Sequence, residues 1–239
     1  MPSCCSAPGC DEFFTSRMAR RAAERYRKKG VDKTAERMLA FFERHGIEGA
    51  TVLEIGGGVG EMQIELLKRG AASAVNLELS HGYDEEAMRL VREAGLEERA
   101  ERRHHDIAAD PGSVEPADVV VLHRVVCCYP DYERLLSAAA DHARRLLVFS
   151  YPPRNALSRL LLGAQNLLFR LQRKEFRTFA HPPAHMLAAV EERGLQRSYV
   201  YNPVVWQIAG FERRVQLRGK SASPPATERA TQEAWDDGR

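Results

Sequence analysis

The chain has 239 residues and a mass of 26.9 kDa, which suits one α/β domain with additions or two small domains. Apolar residues make up 44% and charged residues 28%, a balance that excludes a wholly disordered chain. Because the net charge is only +2 and no apolar run reaches the roughly 18 residues of a membrane-spanning helix, we expect a cytoplasmic protein without nucleic-acid binding or stable membrane insertion.

Residues 1–45 are predicted to form a short cysteine-containing segment followed by a helical lid. Three of the five cysteines lie within the first ten residues: Cys4, Cys5 and Cys10. Their spacing fits no common structural zinc site, so we expect a mobile terminus and no metal. Helices are predicted at 12–29 and 32–45, and Asp32 is the expected N-cap of the second.

Residues 46–218 are predicted to form the main domain, because strands and helices alternate along them. The predicted strands cover residues 51–55, 74–79, 100–107, 118–122, 146–150, 196–202 and 204–212. The predicted helices cover residues 61–69, 84–94, 132–143 and 156–172, and a further one runs from Pro182 or Pro183 to Gly194. This order predicts an α/β fold with a seven-stranded, mostly parallel sheet, helices on both faces and an antiparallel C-terminal hairpin. Residues 219–239 are rich in Ala, Ser, Pro and Thr and are predicted to be disordered.

A glycine-rich loop follows the first predicted strand, and its spacing indicates which cofactor it suits. Glu54 stands two residues before Gly56, and Gly58 and Gly60 follow at alternate positions. A dinucleotide-binding loop has the spacing G-x-G-x-x-G, whereas the last of these glycines is a glutamate here. The pattern E-x-G-x-G-x-G after a strand resembles that of class I, Rossmann-like S-adenosylmethionine-dependent methyltransferases, and the resemblance covers roughly residues 50–213.

The resemblance implies a set of cofactor-binding residues near the ends of the first three strands. The cofactor would be S-adenosylmethionine, bound by Glu54, Gly56, Gly58, Gly60, Glu78, Asp106 and Ile107. Glycines let the backbone pass close to a ligand, and Glu78 is suited to accept hydrogen bonds from two ribose hydroxyls. Asp106 matches the family's acidic residue beside the adenine amino group, and Ile107 would pack on the adenine face.

The stretch after the fourth strand is expected to face the transferred methyl group. It reads His-Arg-Val-Val-Cys-Cys-Tyr-Pro and begins at His123. Together with the Arg-Lys-Lys-Gly of residues 27–30, it is similar to the magnesium-protoporphyrin IX O-methyltransferases. Its position makes His123 a candidate catalytic base, and Tyr129 is a second catalytic candidate that would line the pocket or orient the acceptor. Cys127 and Cys128 are expected to fill space as small apolar groups.

Two segments carry most of the positive charge. Residues 17–33 hold eight basic and two acidic residues, and residues 154–177 hold six and one. In the class that the chain resembles, both segments cover the acceptor, so their arginines would clamp an anionic acceptor. The alternative is that both are solvated helix faces. The second segment is expected to pack as a lid or in the core, with contact to an anionic lipid surface as its alternative.

We therefore expect an S-adenosylmethionine-dependent methyltransferase whose partner is a small or medium, anionic acceptor, with no particular oligomeric state implied. O-methylation is favoured, and a porphyrin-type carboxylate is one such acceptor. Two alternatives stay open at this point. One is an S- or N-methyltransferase that acts on a thiol, an amine or a metalloid, and the other is a non-catalytic protein that binds S-adenosylmethionine.

Overall fold

The computed structural model describes the backbone of residues 7–214 and the side chains of residues 10–214. The strands in this range are β1 (Thr51–Ile55), β2 (Ser73–Glu78), β3 (Ala100–His104), β4 (Ala117–Leu122), β5 (Ala143–Tyr151), β6 (Leu195–Tyr201) and β7 (Gln207–Arg213). The helices are α1 (Ala7–Phe13), α2 (Ser16–Lys29), α3 (Lys33–Arg44), α4 (Glu61–Lys68), α5 (Asp84–Glu93), α6 (Tyr132–His142), α7 (Ala156–Leu171) and α8 (Pro183–Glu191). The predicted tail at 219–239, like Cys4 and Cys5, lies outside the described residues.

The seven strands form one sheet in the order β3-β2-β1-β4-β5-β7-β6. The first five of these pair in parallel, and β7 pairs antiparallel with both β5 and β6. This arrangement confirms the predicted α/β sheet and its antiparallel C-terminal hairpin. The strand order changes direction at β1, which has β2 on one side and β4 on the other. Open α/β sheets bind ligands at such a point, outside the carboxyl ends of the strands.

Both faces of the sheet are covered because its central strands are apolar on both sides. Along β4, Val119 and Val121 belong to one core cluster, whereas Val120 and Leu122 belong to the other. The first cluster includes the buried residues of α3 and α4, and the second includes those of α6 and α8. Each fully buried Val or Leu side chain contributes about 1.5–3 kcal/mol, so this packing holds the carboxyl ends of the strands in register.

Two helices begin at aspartate N-caps, the predicted one at Asp32 and a second at Asp131. The Asp32 side chain accepts hydrogen bonds from the N–H groups of Thr34 and Ala35 at 2.8 and 3.0 Å. The Asp131 side chain accepts one from the N–H of Arg134 at 3.0 Å. These bonds satisfy N–H groups of a first helical turn, which have no partner within the helix. They therefore hold the starts of α3 and α6 in place.

The N-terminal region differs from the mobile segment and single helix that were predicted. Helix α1 already begins at Ala7, and a two-residue break separates it from α2. The Asp11 carboxylate accepts hydrogen bonds from the Ser80 hydroxyl at 3.0 Å and from the His81 N–H at 2.7 Å. Cys10 is buried, at 6% exposure. The prediction of a mobile terminus is therefore wrong at Cys10, because the contacts that dock α1 come from the distant loop after β2.

Two predicted strands are longer than the observed ones. Strand β3 ends at His104, because the Asp106 carboxylate accepts hydrogen bonds from the N–H groups of Ala108 and Ala109 and forms a turn there. Strand β7 begins at Gln207, three residues after its predicted start. The connection between β6 and β7 is consequently a loop rather than a tight turn.

The helix predicted at 156–172 is α7, and the prediction that it packs as a lid or in the core holds only for its inner face. Phe169 is the buried residue of α7. Six leucines of the same helix, here called the leucine face, are between 51% and 74% exposed: Leu157, Leu160, Leu161, Leu167, Leu168 and Leu171. None of the helices in the described part of the chain is long and apolar enough to cross a membrane.

Candidate functional site

A cleft opens at the carboxyl ends of β1, β2 and β4, and residues of α1 and α2 form part of its wall. Its empty space is about 1150 Å³, open mouth included. Eight of the predicted site residues line it: Glu54, Gly56, Gly58, Glu78, Asp106, Ile107, His123 and Tyr129. The remaining one, Gly60, is the N-cap of α4 and lies outside the lining.

The glycine loop passes so close to its neighbours that a Cβ atom would overlap them at Gly56, Gly57 and Gly60. A Cβ on Gly56, whose φ is +66°, would lie 2.7 Å from a methyl carbon of Val125. A Cβ on Gly57 would lie 2.4 Å from the carboxyl carbon of Glu54 and from the amide nitrogen of Asn76. Sequence reasoning missed Gly57, because the motif rests on the alternate glycines. The loop is thus a bare-backbone cradle that a ligand can approach closely.

The Glu54 side chain packs against the glycine loop and connects it to α4. Its side chain is 1% exposed, and its Oε2 accepts a hydrogen bond from the N–H of Gln63 at 3.0 Å. Gln63 lies in the first turn of α4, where N–H groups have no partner within the helix. Burial raises the pKa of Glu54 to about 8, against the hydrogen bond from Gln63 and together with the nearby Glu61 charge. Glu54 therefore acts on the loop and on α4 as well as lining the cleft.

The raised pKa of Glu54 predicts a pH-dependent stability that Glu54→Gln removes. The folded chain keeps the Glu54 proton up to about pH 8, whereas the unfolded chain loses it near the ordinary value of 4.5. This contribution to stability is complete below the ordinary pKa and is lost as pH rises through the folded-state pKa. Between pH 6 and pH 9 we expect the loss of this contribution to lower the free energy of unfolding by about 3 kcal/mol in the chain without cofactor.

Urea unfolding at both pH values measures this effect. Glu54→Gln can still accept the Gln63 hydrogen bond and buries no charge, so its free energy of unfolding should change less over this range. Glu98→Gln, at an exposed position, is the matched control and should behave as the wild type. An identical pH dependence in wild type and Glu54→Gln would show that Glu54 is ionised in the folded chain.

The Glu78 carboxylate lines the cleft, and three backbone N–H groups fix its orientation. Its Oε1 accepts hydrogen bonds from the N–H groups of Leu79 and Ser80, at 2.8 and 3.1 Å. Its Oε2 accepts one from the N–H of Gly58 at 2.8 Å. A carboxylate has about four acceptor positions, so Oε2 keeps one for a ligand. Because Gly58 belongs to the glycine loop, Glu78 also ties that loop to the end of β2.

Asp106 and Tyr129 form a pair at the far side of the cleft. The Tyr129 hydroxyl donates to both carboxylate oxygens of Asp106, at 3.1 and 3.0 Å. Ile107, next to Asp106, is buried and forms part of the same wall. The structure thus places the Tyr129 hydroxyl on a predicted cofactor-binding carboxylate, a position that favours an orienting role.

His123 lies at the end of β4 in a cluster that the sequence did not indicate. Its Nδ1 is 3.1 Å from the Ser150 hydroxyl, which also accepts the Arg124 N–H at 2.9 Å. Its Nε2 is buried and makes no hydrogen bond within the described residues, and its nearest charged partner is Asp32 Oδ2 at 3.7 Å. Both ring nitrogens therefore face protein groups, the Ser150 hydroxyl on one side and the Asp32 carboxylate on the other.

Asp32 and Arg124 connect the start of α3 to the loop after β4. Arg124 Nη2 lies 2.5 Å from Asp32 Oδ2, while the other Asp32 oxygen caps α3. Although burial raises the pKa of Asp32, the His123 imidazole, the Ala35 N–H and the Arg124 charge outweigh it and hold that pKa well below its usual range. Arg124 has a φ of +62°, which is uncommon for a residue with a side chain and typical of functional sites.

The two basic segments contribute less to the cleft than predicted. Among the described residues of these two segments, Arg25 is the one basic residue that lines the cleft. Its Nη2 lies 3.5 Å from Glu61 Oε2. Arg27 instead pairs with Glu93 at 2.8 Å on the surface. The second cation on the cleft wall is Arg124, which belongs to neither segment. The opening over the sheet is therefore lined by two arginines rather than by an arginine-rich clamp.

Thiols also reach the cleft, from two distant parts of the chain. Cys10 of α1 and Cys128 of the loop after β4 both line it. The sulfur atoms of Cys127 and Cys128 are 3.6 Å apart. Hydrogen bonding with the Cys128 thiol lowers the pKa of Cys127, against the effect of burial. Cys127 is buried as predicted for a small apolar group, whereas Cys128 faces the cleft.

Three side chains able to bind a metal converge outside the cleft. The ligand atoms of His81, Asp84 and His104 all lie within 4.8 Å of one another. Asp84 also accepts a hydrogen bond from Arg102 Nε at 2.8 Å, and this guanidinium opposes the binding of a cation.

Sequence reasoning missed Arg102, whose Nη1 donates to the Gly58 carbonyl at 2.9 Å and supports the glycine loop.

The comparison with protein families decides the class of the chain. The family model described as the methyltransferase domain matches residues 19–200, which include most of α2, the glycine loop and the cleft residues from Ala22 onward. The chain belongs to the methyltransferase domain family. Methyltransferases with this Rossmann-like fold use S-adenosylmethionine, which is the cofactor of this chain.

Solved methyltransferases share the fold. The magnesium protoporphyrin IX methyltransferase of Synechocystis PCC 6803, crystallised with SAH bound, has a TM-score of 0.68 at 19% identity, over 85% of this chain and 98% of that one. The same protein with SAM bound gives a TM-score of 0.60 at 18% identity, over 83% and 84%. An O-methyltransferase family protein of Burkholderia thailandensis gives 0.61 at 17% identity, over 81% and 60%. No curated protein matches the sequence.

Proposed function

We propose that this methyltransferase transfers a methyl group to an oxygen atom of a small or medium, anionic acceptor with an apolar body. The observation that carries the proposal is the pair of arginines on the cleft wall, Arg25 and Arg124, beside apolar side chains such as Phe14 and Val125. The wall also carries Glu61, which contacts Arg25, and the carboxylates Glu54, Glu78 and Asp106, which belong to the proposed cofactor end of the cleft. The arginines and their apolar neighbours suit a carboxylate on an otherwise apolar molecule. The resemblance to magnesium-protoporphyrin IX O-methyltransferases favours a porphyrin-type carboxylate, which has this chemistry.

The cofactor would occupy the part of the cleft between the glycine loop and Asp106. The bare backbone at Gly56 and Gly57 gives the close approach that its amino-acid part needs. Glu78 Oε2 has one acceptor position left, which suits a ribose hydroxyl. Asp106 would accept from the adenine amino group, and its hydrogen bond from Tyr129 keeps the carboxylate in place. When bound, S-adenosylmethionine supplies an electrophilic methyl carbon.

The acceptor would lie beside His123, which lines the cleft at the end of β4. Ser150 and Asp32 hold the imidazole between them, so His123 can position the acceptor oxygen or take a proton from a hydroxyl. A carboxylate acceptor is ionised at neutral pH and needs no such base. The protein then contributes alignment and the exclusion of water.

Arg25 is the residue through which the acceptor's charge can be tested. Its single contact with Glu61, at 3.5 Å, leaves most of its five donors for a carboxylate. We expect Arg25→Gln to raise KM for a carboxylate acceptor about tenfold and to leave KM for the corresponding amide unchanged. Arg21→Gln, an exposed position on the same helix, is the matched control and should change neither value.

The assay uses labelled S-adenosylmethionine and a panel of carboxylic acids, their amides, amines, thiols and arsenite. Methylation of the carboxylic acids in preference to their amides supports the proposal. Equal use of acids and amides, or an unchanged KM in Arg25→Gln, would contradict it. Binding of the cofactor without turnover on any member of the panel would instead favour the non-catalytic alternative.

A thiol or metalloid acceptor is the second candidate, and the position of the cysteines favours it. Cys10 and Cys128 line the same cleft, and Cys127 lies 3.6 Å from Cys128, sulfur to sulfur. Thiolates bind soft acceptors such as trivalent metalloids. If arsenite is the preferred acceptor of the panel and Cys128→Ser abolishes its methylation, this candidate replaces the first.

A further inference from the structure

Helix α7 presents its more apolar face to solvent, the reverse of the usual arrangement in a globular protein. At 3.6 residues per turn, the leucine face forms one continuous stripe along the helix. The side turned toward the protein carries Ser158, Leu162, Gln165, Asn166 and the buried Phe169. A helix stabilised only by packing on this domain would turn its leucines inward.

The outward position of the leucine face is held by specific contacts. Asn166 donates a hydrogen bond to the Thr178 carbonyl at 2.7 Å and accepts one from the Thr178 N–H at 2.9 Å. The Phe169 ring packs on those of Phe13 and Phe176, with centroids 5.2 and 6.0 Å apart. These contacts fix the rotation of α7 about its axis. The exposure of the leucines therefore belongs to the folded structure.

The charge along the leucine face is mainly positive, and the acidic residues Glu12 and Glu175 lie beyond the C-terminal end of α7. From Arg154 to Lys174 there are five basic residues and no acidic one. Arg159 and Arg170 lie on α7 itself and are exposed. Long basic side chains beside an apolar stripe can keep their charges in the headgroup layer of a membrane while the leucines enter the acyl region.

More exposed apolar residues lie on the same side of the sheet. Val204 and Val205 are 79% and 65% exposed in the loop between β6 and β7. Gln207, which follows this loop, pairs with Tyr151 at the carboxyl end of β5, the strand that leads into α7. The loop, the leucine face and the cleft are therefore all at the carboxyl-end side of the sheet.

We propose that the leucine face and its basic residues bind the surface of an anionic lipid membrane, with the cleft at the same side of the molecule. The stripe of leucines matches the acyl boundary, and the acid-free segment matches anionic headgroups. A second copy of this chain is disfavoured as the occupant, because a symmetric contact would place these basic residues against their own equivalents. This proposal does not depend on which acceptor the protein methylates.

Flotation of the full chain with lipid vesicles tests the proposal. We expect binding to vesicles of phosphatidylglycerol and phosphatidylcholine that weakens at high salt, and much weaker binding to phosphatidylcholine alone. The triple variant L160S/L161S/L168S should lower the partition coefficient about 100-fold, because three half-exposed leucines no longer enter the membrane. Arg159→Gln with Arg170→Gln should reduce binding to anionic vesicles only.

Controls separate this outcome from loss of folding and from self-association. Met88→Ser, at a 52% exposed position on α5, should bind vesicles as the wild type does. Because the replaced leucines are exposed, the thermal melt of the triple variant should match that of the wild type. The proposal is overturned if the wild type does not float with anionic vesicles or if the triple variant floats equally well. A dimer in light scattering that the triple variant loses, without vesicle binding, would identify a second copy as the occupant instead.

Discussion

Gly57→Ala should abolish measurable binding of S-adenosylhomocysteine and lower the Tm by several degrees. The new Cβ would lie 2.4 Å from the carboxyl carbon of Glu54 and from the amide nitrogen of Asn76, so these two buried side chains would have to shift. Overpacking of this kind costs about 1–3 kcal/mol, which corresponds to a fall of about 5 °C for a chain of this size. The glycine loop would shift into the cleft, and calorimetric titration should show a loss of affinity of at least about 100-fold.

Gly112→Ala is the matched control. A Cβ there would lie 3.9 Å from its nearest neighbour, the Asp110 carboxylate, and the position is outside the cleft. Its affinity and Tm should stay close to those of the wild type. Wild-type affinity in Gly57→Ala would show that the ligand does not approach the backbone at this loop.

Glu78→Gln should weaken S-adenosylhomocysteine binding about 100-fold. Three N–H groups, from Gly58, Leu79 and Ser80, donate to the Glu78 carboxylate. A glutamine amide has one acceptor oxygen, so its NH₂ would face at least one of these donors, and the charge-assisted bond to a ribose hydroxyl would be lost. Hydrogen bonds to charged groups contribute about 1.5–3 kcal/mol each.

A 2′-deoxyribose analogue of the ligand separates ribose recognition from a structural effect. In the wild type this analogue should bind more weakly than S-adenosylhomocysteine, and in Glu78→Gln the two should bind almost equally. Glu101→Gln, an exposed carboxylate on the neighbouring β3, should leave both affinities unchanged. If the deoxy analogue loses as much affinity in Glu78→Gln as in the wild type, the ribose is held elsewhere.

The parts of the fold that depend on local pattern could be predicted from the sequence. The apolar runs of β1 and β4, the caps Asp32 and Asp131, and the glycine loop are all readable within a few residues of chain. Strand–helix alternation then leaves few arrangements other than a mostly parallel sheet. The same logic places Glu54 and Glu78 at neighbouring strand ends, and the structure brings both to one cleft.

The parts that depend on distant contacts could not be predicted in this way. Arg124 and Asp32 are separated by more than ninety residues in the chain, and their ion pair exists only because α3 packs beside the end of β4. Cys10 is buried because Asp11 binds the loop after β2. Helix α7 has the composition of a core helix, but Asn166 and Phe169 determine which face turns inward.

The crystal structure of the complex with S-adenosylhomocysteine is the most direct test of the cofactor site. We predict one molecule in the cleft, with a ribose hydroxyl on Glu78 Oε2, the adenine amino group at Asp106 and the sulfur atom facing His123. An empty cleft in crystals grown with saturating ligand, or a ligand bound away from the glycine loop, would contradict the account.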